Sequence, residues 1–320
     1  MTPPPSATDR VTLRIGHSPD PDDAFMWYPL ANRTSPDGTQ LTPKIDTGRF
    51  DFVHVLEDIQ SLNERSTKGE LEITAISIAH YPQVADRYAL TTCGASMGEG
   101  YGPMVVAKRE LYVRDFITPL DTPEPKKRNR PTLAIPGKHT SAWLAMQLRL
   151  LDEGGKAPND LNIDYTVVPF DQIIPKVAAG EFDAGLIIHE GQLTFEEQGL
   201  RCVEDLGKWW QATRKLPLPL GGNAIRRDLG DAEMREVCGI LLRSIQYALD
   251  HREEAVSYAL NYARDMGRDL ADRFVGMYVN QRTLDYGDTG RRAVQQFLHE
   301  AAEAGLTPDV GEVDFVAPAE

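Results

Sequence analysis

Three cysteines, Cys93, Cys202 and Cys238, are all that 320 residues contain, and their odd number and wide spacing exclude a disulfide framework and a zinc-ligand set. They are expected as small buried or half-buried side chains. No run approaches the ~18 consecutive apolar residues of a membrane-spanning helix. Positive charge is scarce as well: 34 Lys and Arg stand against 48 Asp and Glu, a formal net charge of −14. Such a surface repels phosphate backbones and anionic headgroups, which argues against nucleic-acid and membrane partners and leaves a small-molecule ligand. The first residues, Met1 to Arg10, have neither the apolar core nor the basic cluster of a secretory signal, so a cytoplasmic protein is expected.

Familiar chemical fingerprints are missing too. Gly94 to Gly102 is glycine-rich, but no helix opens within it, as a dinucleotide fingerprint requires. Gly94-Ala95-Ser96-Met97-Gly98 formally matches a nucleophile elbow; the strand-like Met104 to Ala107 follows where the elbow needs a helix. A flexible or close-approach loop over a cleft is the better account. Asp20, Asp22 and Asp23 supply three carboxylates without the spacing of a calcium loop. No cofactor and no metal is therefore expected.

What is present is the composition of an ordinary soluble protein, 41% hydrophobic and 26% charged, in a chain long enough for two lobes. Short apolar runs alternate with amphipathic stretches, the pattern of βα units wound into mostly parallel sheets. Strands are expected over Val11 to Gly16, Phe50 to Val55, Leu71 to Ile76, Tyr88 to Thr92 and Met104 to Ala107. A helix is expected to start at Ser77. Pro119, Pro123, Pro125 and Pro131 around Lys126 to Arg130 break the pattern as a solvated linker or insertion. Beyond it Thr132 to Ile135, Tyr165 to Val168 and Ala184 to Ile188 repeat the alternation, Gly222 to Arg226 forms a last strand, and a helical tail opens with Asp231 as a cap. The resulting division is residues 1–108 as the first part of lobe 1, 109–131 as linker, 132–205 as lobe 2, 206–226 as the return hinge, and 227–320 as a helical region completing lobe 1. Two α/β lobes joined by a hinge form a clamp. A transport receptor and an enzyme can share that architecture.

The candidate site residues sit where strands end, because open α/β sheets bind ligands outside the carboxyl ends of their strands. His189 follows the apolar run Ala184 to Ile188 and precedes Glu190; a side chain that titrates near neutral pH suits proton transfer there, or merely caps the strand. Gly137-Lys138-His139-Thr140-Ser141 precedes the helix of Trp143, Leu144, Met146 and Leu148, so its hydroxyls and amides gather at a helix start that suits a carboxylate. Ser77 offers a second such cluster. Ordinary helix capping is the alternative for both. In Ser18 to Asp23, Asp20 stands at a cap position with Pro21 at the first helical position and an acidic first turn.

Gly16-His17-Ser18-Pro19-Asp20-Pro21-Asp22-Asp23-Ala24-Phe25, Asp86-Arg87-Tyr88, Gly98 to Lys108, Pro136 to Ser141, Ala184 to Glu190, and Asp205 to Trp210 with Leu216 to Gly221 together resemble the 1,4-dihydroxy-6-naphthoate synthase family. The resemblance is collinear from Arg14 to about Leu306. It implies an α/β, two-lobed periplasmic binding protein-like (type II) fold with a hinge and a helical C-terminal region. The implied reaction is a lyase step of the futalosine route to menaquinone, cleavage of cyclic dehypoxanthinyl futalosine to 1,4-dihydroxy-6-naphthoate and dihydroxyacetone. His189 falls on the family's catalytic histidine, a general base, while Ala75, Ile76, Ser77, Thr140 and Ser141, with Ser18 in the first loop, are the implied substrate-binding residues. That first loop usually reads Ser-Pro-Cys-Pro-Asn-Asp-Thr-Phe, whereas this chain has Asp20, Asp22 and Ala24 at the varying positions. The added carboxylates suit an anionic substrate only if they turn into helix caps or solvent. Two other functions fit the fold: a non-catalytic binding protein for a small anionic metabolite, and chorismate dehydratase of the same pathway. The segment Leu186 to Glu190 favours the naphthoate synthase.

Overall fold

Alternation of Leu13 and Ile15 with the exposed Thr12 and Arg14 makes Val11–His17 the first strand, and Leu13 and Ile15 are buried. The structure, a computed structural model, describes residues 10–31, 33–34, 40–117, 131–154, 163–263 and 266–319. Strands are β1 (Val11–His17), β2 (Arg33–Thr34), β3 (Gln40–Leu41), β4 (Phe50–Leu56), β5 (Ile73–Ser77), β6 (Tyr88–Thr91), β7 (Ser96–Gly98), β8 (Met104–Ala107), β9 (Leu133–Ile135), β10 (Tyr165–Val167), β11 (Ala184–Ile187), β12 (Arg201–Asp205), β13 (Leu218–Arg226) and β14 (Phe315–Val316). Helices are α1 (Pro21–Trp27), α2 (Ile59–Thr67), α3 (Ser141–Gly154), α4 (Phe170–Ala179), α5 (Gly191–Thr194), α6 (Leu206–Arg214), α7 (Asp231–Asp250), α8 (Arg252–Ala259), α9 (Arg268–Tyr278), α10 (Gln281–Leu284) and α11 (Gly287–Glu303).

Two main sheets result. The first has the order β14-β6-β13-β5-β1-β4, with β7 also paired to β13, and the second the order β10-β9-β11-β8-β12. In the first, β1 runs parallel to β4 and β5, while the returning strand β13 lies antiparallel between β5 and β6. The second repeats the plan: β9, β10 and β11 are parallel, and β8 inserts antiparallel to β11 and β12.

Sheet membership corrects the expected boundaries. Met104–Ala107 belongs to the second sheet, so the chain leaves the first lobe before Met104 and not after Lys108. Residues 206–226 are not a hinge throughout: they contain α6 and then β13, a central strand of the first sheet. The return crossing is the short segment Lys215 to Pro217, where Lys215 takes a left-handed φ of 59°. The tail is not wholly helical, since β14 adds to β6 in parallel. After Ser77 the chain forms only a 3-10 turn, Ile78–Gln83, which contains Pro82. Gly230, not Asp231, occupies the cap position of α7. Cys93 and Cys238 are buried, but Cys202 is exposed on the outer strand β12. The basic cluster Lys126 to Arg130 lies outside the described residues.

Apolar packing joins the lobes. One core contains Ile76, Leu90 and Leu218 of the first sheet together with Leu133, Ile135 and Leu186 of the second, bridged by Trp143 and Met146 of α3 and by Trp210 of α6. A second core lies under α1, α7 and α8. The glycine-rich loop makes the close approach its composition suggests. It packs on the first turn of α6: Leu206 donates its N–H to the Pro103 carbonyl at 3.0 Å, and a Cβ on Gly207 would stand 1.9 Å from the Tyr101 oxygen. Among the described residues, no helix is long and apolar enough to cross a membrane.

Candidate active site

Parallel strands that end at the same side of a sheet deliver their next residues to one place, and here both sheets point those ends at a shared cleft. Residues after β1 and β11, the end of β5 and the start of α3 line it, together with residues of β13. Its cavity volume is about 120 Å³, and it opens on one side to solvent. Ser18, Ala75, Ile76, Ser77, Thr140, Ser141 and His189 all line it, so the fold brings these seven candidate residues into a single cavity; Asp20 and Glu190 are not among the lining residues.

Their side chains are not equally free. Ser141 Oγ donates to the Leu220 carbonyl at 2.5 Å and accepts the Ala79 N–H at 3.1 Å, which ties α3 to both β13 and the turn after β5. Thr140 Oγ1 donates to the Gly137 carbonyl at 2.8 Å and accepts the Trp143 N–H at 3.2 Å, capping α3. These hydroxyls are therefore structural. Ser141 and Ala142 line the cleft at the helix start, where the first peptide N–H groups have no partner within the helix and carry the positive end of its dipole. Asn63 holds Ser77 at both ends, accepting its N–H at 2.9 Å and donating to its Oγ at 3.1 Å, so the hydroxyl proton is not spent in that pairing. Ile76 is buried in the core that joins the lobes, and Ala75 is 8% exposed.

His189 follows β11 with a φ of 56°. The left-handed region is unfavourable for most residues but is entered by histidine more than most, and such a conformation at a ligand site is a stored strain. The ring packs against Phe170 at 4.8 Å between centroids, and Nδ1 lies 3.5 Å from Asp20 Oδ2. Glu190 stands at the cap position of α5 without a side-chain capping bond.

The acidic first loop does not turn to caps and solvent. Asp20 occupies the cap position of α1, yet its carboxylate makes no capping bond and is 1% exposed. Asp22 and Asp23 both line the cleft. Burial, with the neighbouring Asp23 and Asp20 charges, pushes the Asp22 carboxyl well above the usual carboxylate range. Burial also pushes Asp23 up to about 6, against the Ser18 N–H and hydroxyl bonds, each 2.8 Å, that pull it down. Two of the three carboxyls thus take up protons more readily than exposed ones, which lowers the charge an anionic ligand meets.

Asp23 gives stability a definite pH dependence. With a folded pKa near 6 and an ordinary value near 4, the native state binds more protons than the unfolded chain between those limits, so this group's contribution falls as pH rises from about 4 to about 6. The loss is on the order of 2–3 kcal/mol. Urea unfolding at stepped pH should show the wild type losing stability relative to Asp23→Asn as pH rises from about 4 to about 6; parallel profiles would remove Asp23 as a source.

Sequence reasoning missed Gln192, Asn223 and Tyr278. Gln192 Nε2 donates to Tyr278 Oη at 2.8 Å, a bond between the segment after β11 and α9 of the other lobe. Asn223 lies opposite Ala75 on β13, with Nδ2 donating to the Gly94 carbonyl at 3.0 Å. Asp22 Oδ1, Gln192 Oε1 and Asn223 Oδ1 are enclosed acceptors without a hydrogen-bond partner among the described residues, the arrangement expected where a donor-bearing ligand completes the set. Gln192 was within reach of sequence, one helical turn beyond His189. Nothing in the chain near Asn223 or Tyr278 marks them.

A family described as menaquinone biosynthesis matches residues 13–303. An enzyme of Thermus thermophilus named 1,4-dihydroxy-6-naphthoate synthase is 38% identical over 294 residues, 92% of this chain and 95% of that one. Its namesake in Streptomyces coelicolor is 33% identical over 300 residues, 94% of this chain and 96% of that one. A crystal structure of an Archaeoglobus fulgidus protein superposes with a TM-score of 0.78 at 38% identity, covering 92% of this chain and 98% of the other. The alkanesulfonate-binding protein of Xanthomonas axonopodis pv. citri aligns at a TM-score of 0.62 with 15% identity, covering 96% and 98%; that likeness shows the two-lobed periplasmic binding protein-like fold.

Proposed function

We infer that this chain, which belongs to the menaquinone-biosynthesis family of 1,4-dihydroxy-6-naphthoate synthases, is a carbon-carbon lyase that converts cyclic dehypoxanthinyl futalosine to 1,4-dihydroxy-6-naphthoate and dihydroxyacetone. The observation that carries this reading is the full-length match to enzymes of that name, at 33–38% identity over more than nine-tenths of the chain. His189 acts as the general base. It draws a proton from a substrate carbon onto its ring nitrogen, the electron pair stays with the substrate, and aromatisation of the ring system follows the cleavage. The substrate's carboxylate is received by the Ser141 and Ala142 N–H groups at the start of α3, with the Ser77 hydroxyl as a further donor. Ala75 and Ile76 shape the wall beside Ser77, and Ser18 holds Asp23 in place. The enzyme works in the cytoplasm on a small anionic molecule.

Incubating the purified protein with cyclic dehypoxanthinyl futalosine should release the naphthoate and dihydroxyacetone together. Folded protein that binds the compound without converting it would return the chain to the binding proteins whose fold it shares. Turnover of chorismate instead would assign it to the dehydratase.

A further inference from the structure

We propose that Asp20 is the positioning residue of His189, reaching across the cleft from one lobe to fix the tautomer of a base carried by the other. The inference rests on the reading of His189 as the base. Asp20 follows β1 of the first sheet and His189 follows β11 of the second, so the 3.5 Å between Oδ2 and Nδ1 spans the two lobes. Two observations about Asp20 point the same way. It stands at a helix cap, a place where aspartate ordinarily accepts the N–H groups of the first turn, and yet it makes no such bond. Its carboxylate is almost wholly withdrawn from water, with 2% of the side chain exposed, and it lies alongside an imidazole. The neighbouring Asp23 is committed elsewhere, to the Ser18 N–H and hydroxyl.

A carboxylate facing Nδ1 keeps the imidazole proton on that nitrogen and leaves the Nε2 lone pair to accept a proton from substrate. It also stabilises the imidazolium that forms. At 3.5 Å the pair is at ion-pair distance and longer than a formed hydrogen bond, so a few tenths of an ångström of lobe approach completes it. The left-handed backbone at His189 and the ring of Phe170 fix the direction from which the imidazole meets Asp20. Closure of the cleft and readiness of the base are thereby one event. The Gln192 to Tyr278 bond, from α5 to α9, is a second link between the same two lobes.

The test uses full-length Asp20→Asn with Asp20→Ser as a smaller replacement, so that a folding defect in one does not decide the matter. Ring ¹⁵N NMR of His189 without substrate should show the proton on Nδ1 in the wild type and a mixture of tautomers in both variants. With substrate, kcat should fall about tenfold or more while KM stays within about threefold, and Asp20→Glu should recover part of the loss. Unchanged tautomer populations in a folded variant would overturn the proposal, whatever the activity. The NMR arm needs no turnover: a tautomer change in a protein that makes no naphthoate would leave the pairing standing and remove only the assigned reaction.

Discussion

The His189→Ala protein should bind cyclic dehypoxanthinyl futalosine with near wild-type affinity and convert it about 10²–10⁴-fold more slowly, the range over which a general base accelerates proton transfer. Binding survives because the donors assigned to the carboxylate lie on α3 and β5, away from the imidazole. Alanine brings a second effect that must be separated from the first. At a φ of 56° alanine tolerates the left-handed backbone less well than histidine, so the variant is also expected to unfold somewhat earlier. His189→Asn resolves the two, because asparagine tolerates this backbone region and offers no base. Calorimetric binding, single-turnover rates and thermal unfolding on both variants give the decision. Asparagine should recover stability without recovering turnover; a His189→Asn protein with half of the wild-type kcat would remove His189 from the chemistry.

Gly207→Ala should cause the largest loss of stability of any one-carbon substitution at the crossing between lobes. Its new Cβ would stand 1.9 Å from the Tyr101 oxygen, 2.0 Å from the Tyr101 carbonyl carbon and 2.5 Å from the Gly102 nitrogen. These are backbone atoms. They cannot rotate aside as a flexible side chain would, so the two crossing segments must separate and Asp205 must surrender its bonds to the Gly207 and Lys208 N–H groups. A loss of about 3 kcal/mol or more is expected, near the upper end of overpacking costs. At two to four degrees per kcal/mol for a chain of this class, Tm should drop by roughly 6 °C or more. Gly239→Ala is the control. It lies inside α7 with its nearest neighbour, Arg243 Nη1, at 3.5 Å, and alanine there should raise stability by about 0.5–1 kcal/mol through helix propensity. Equal Tm values for the two variants would contradict the tight crossing.

The site was legible in the sequence where chemistry and strand endings coincide. Ala184 to Ile187, then His189, reads as an apolar strand delivering a titratable group, and Ile73 to Ser77 delivers a hydroxyl in the same way. Sheet membership was harder. Met104–Ala107 is four apolar residues with no mark of the sheet it joins, and an antiparallel insertion is decided by partners far along the chain. The placement of Asn223 depends on the register of β13 against β5, and Tyr278 depends on how α9 packs on α1; neither is a local property. Propensity misled at Asp20, whose preference for capping yields to a histidine on the other lobe. At Thr140 and Ser141 the residues line the cleft, but their hydroxyls are taken up in fastening the helix.

The apolar core that runs unbroken from Ile76 and Leu218 through Trp143 to Leu133 and Leu186 has a consequence for evolution under heat and under demand for flux. A receptor that gapes to collect solutes needs each lobe to be sealed on its own. Here wide gaping would wet side chains that both lobes share, so opening the cleft widely carries a hydrophobic cost. Substitutions that loosen this shared packing speed product escape and lower heat resistance together. Selection on turnover and selection on durability therefore pull on the same few residues, and a heat-hardened descendant is slower at moderate temperature unless it relieves the constraint elsewhere.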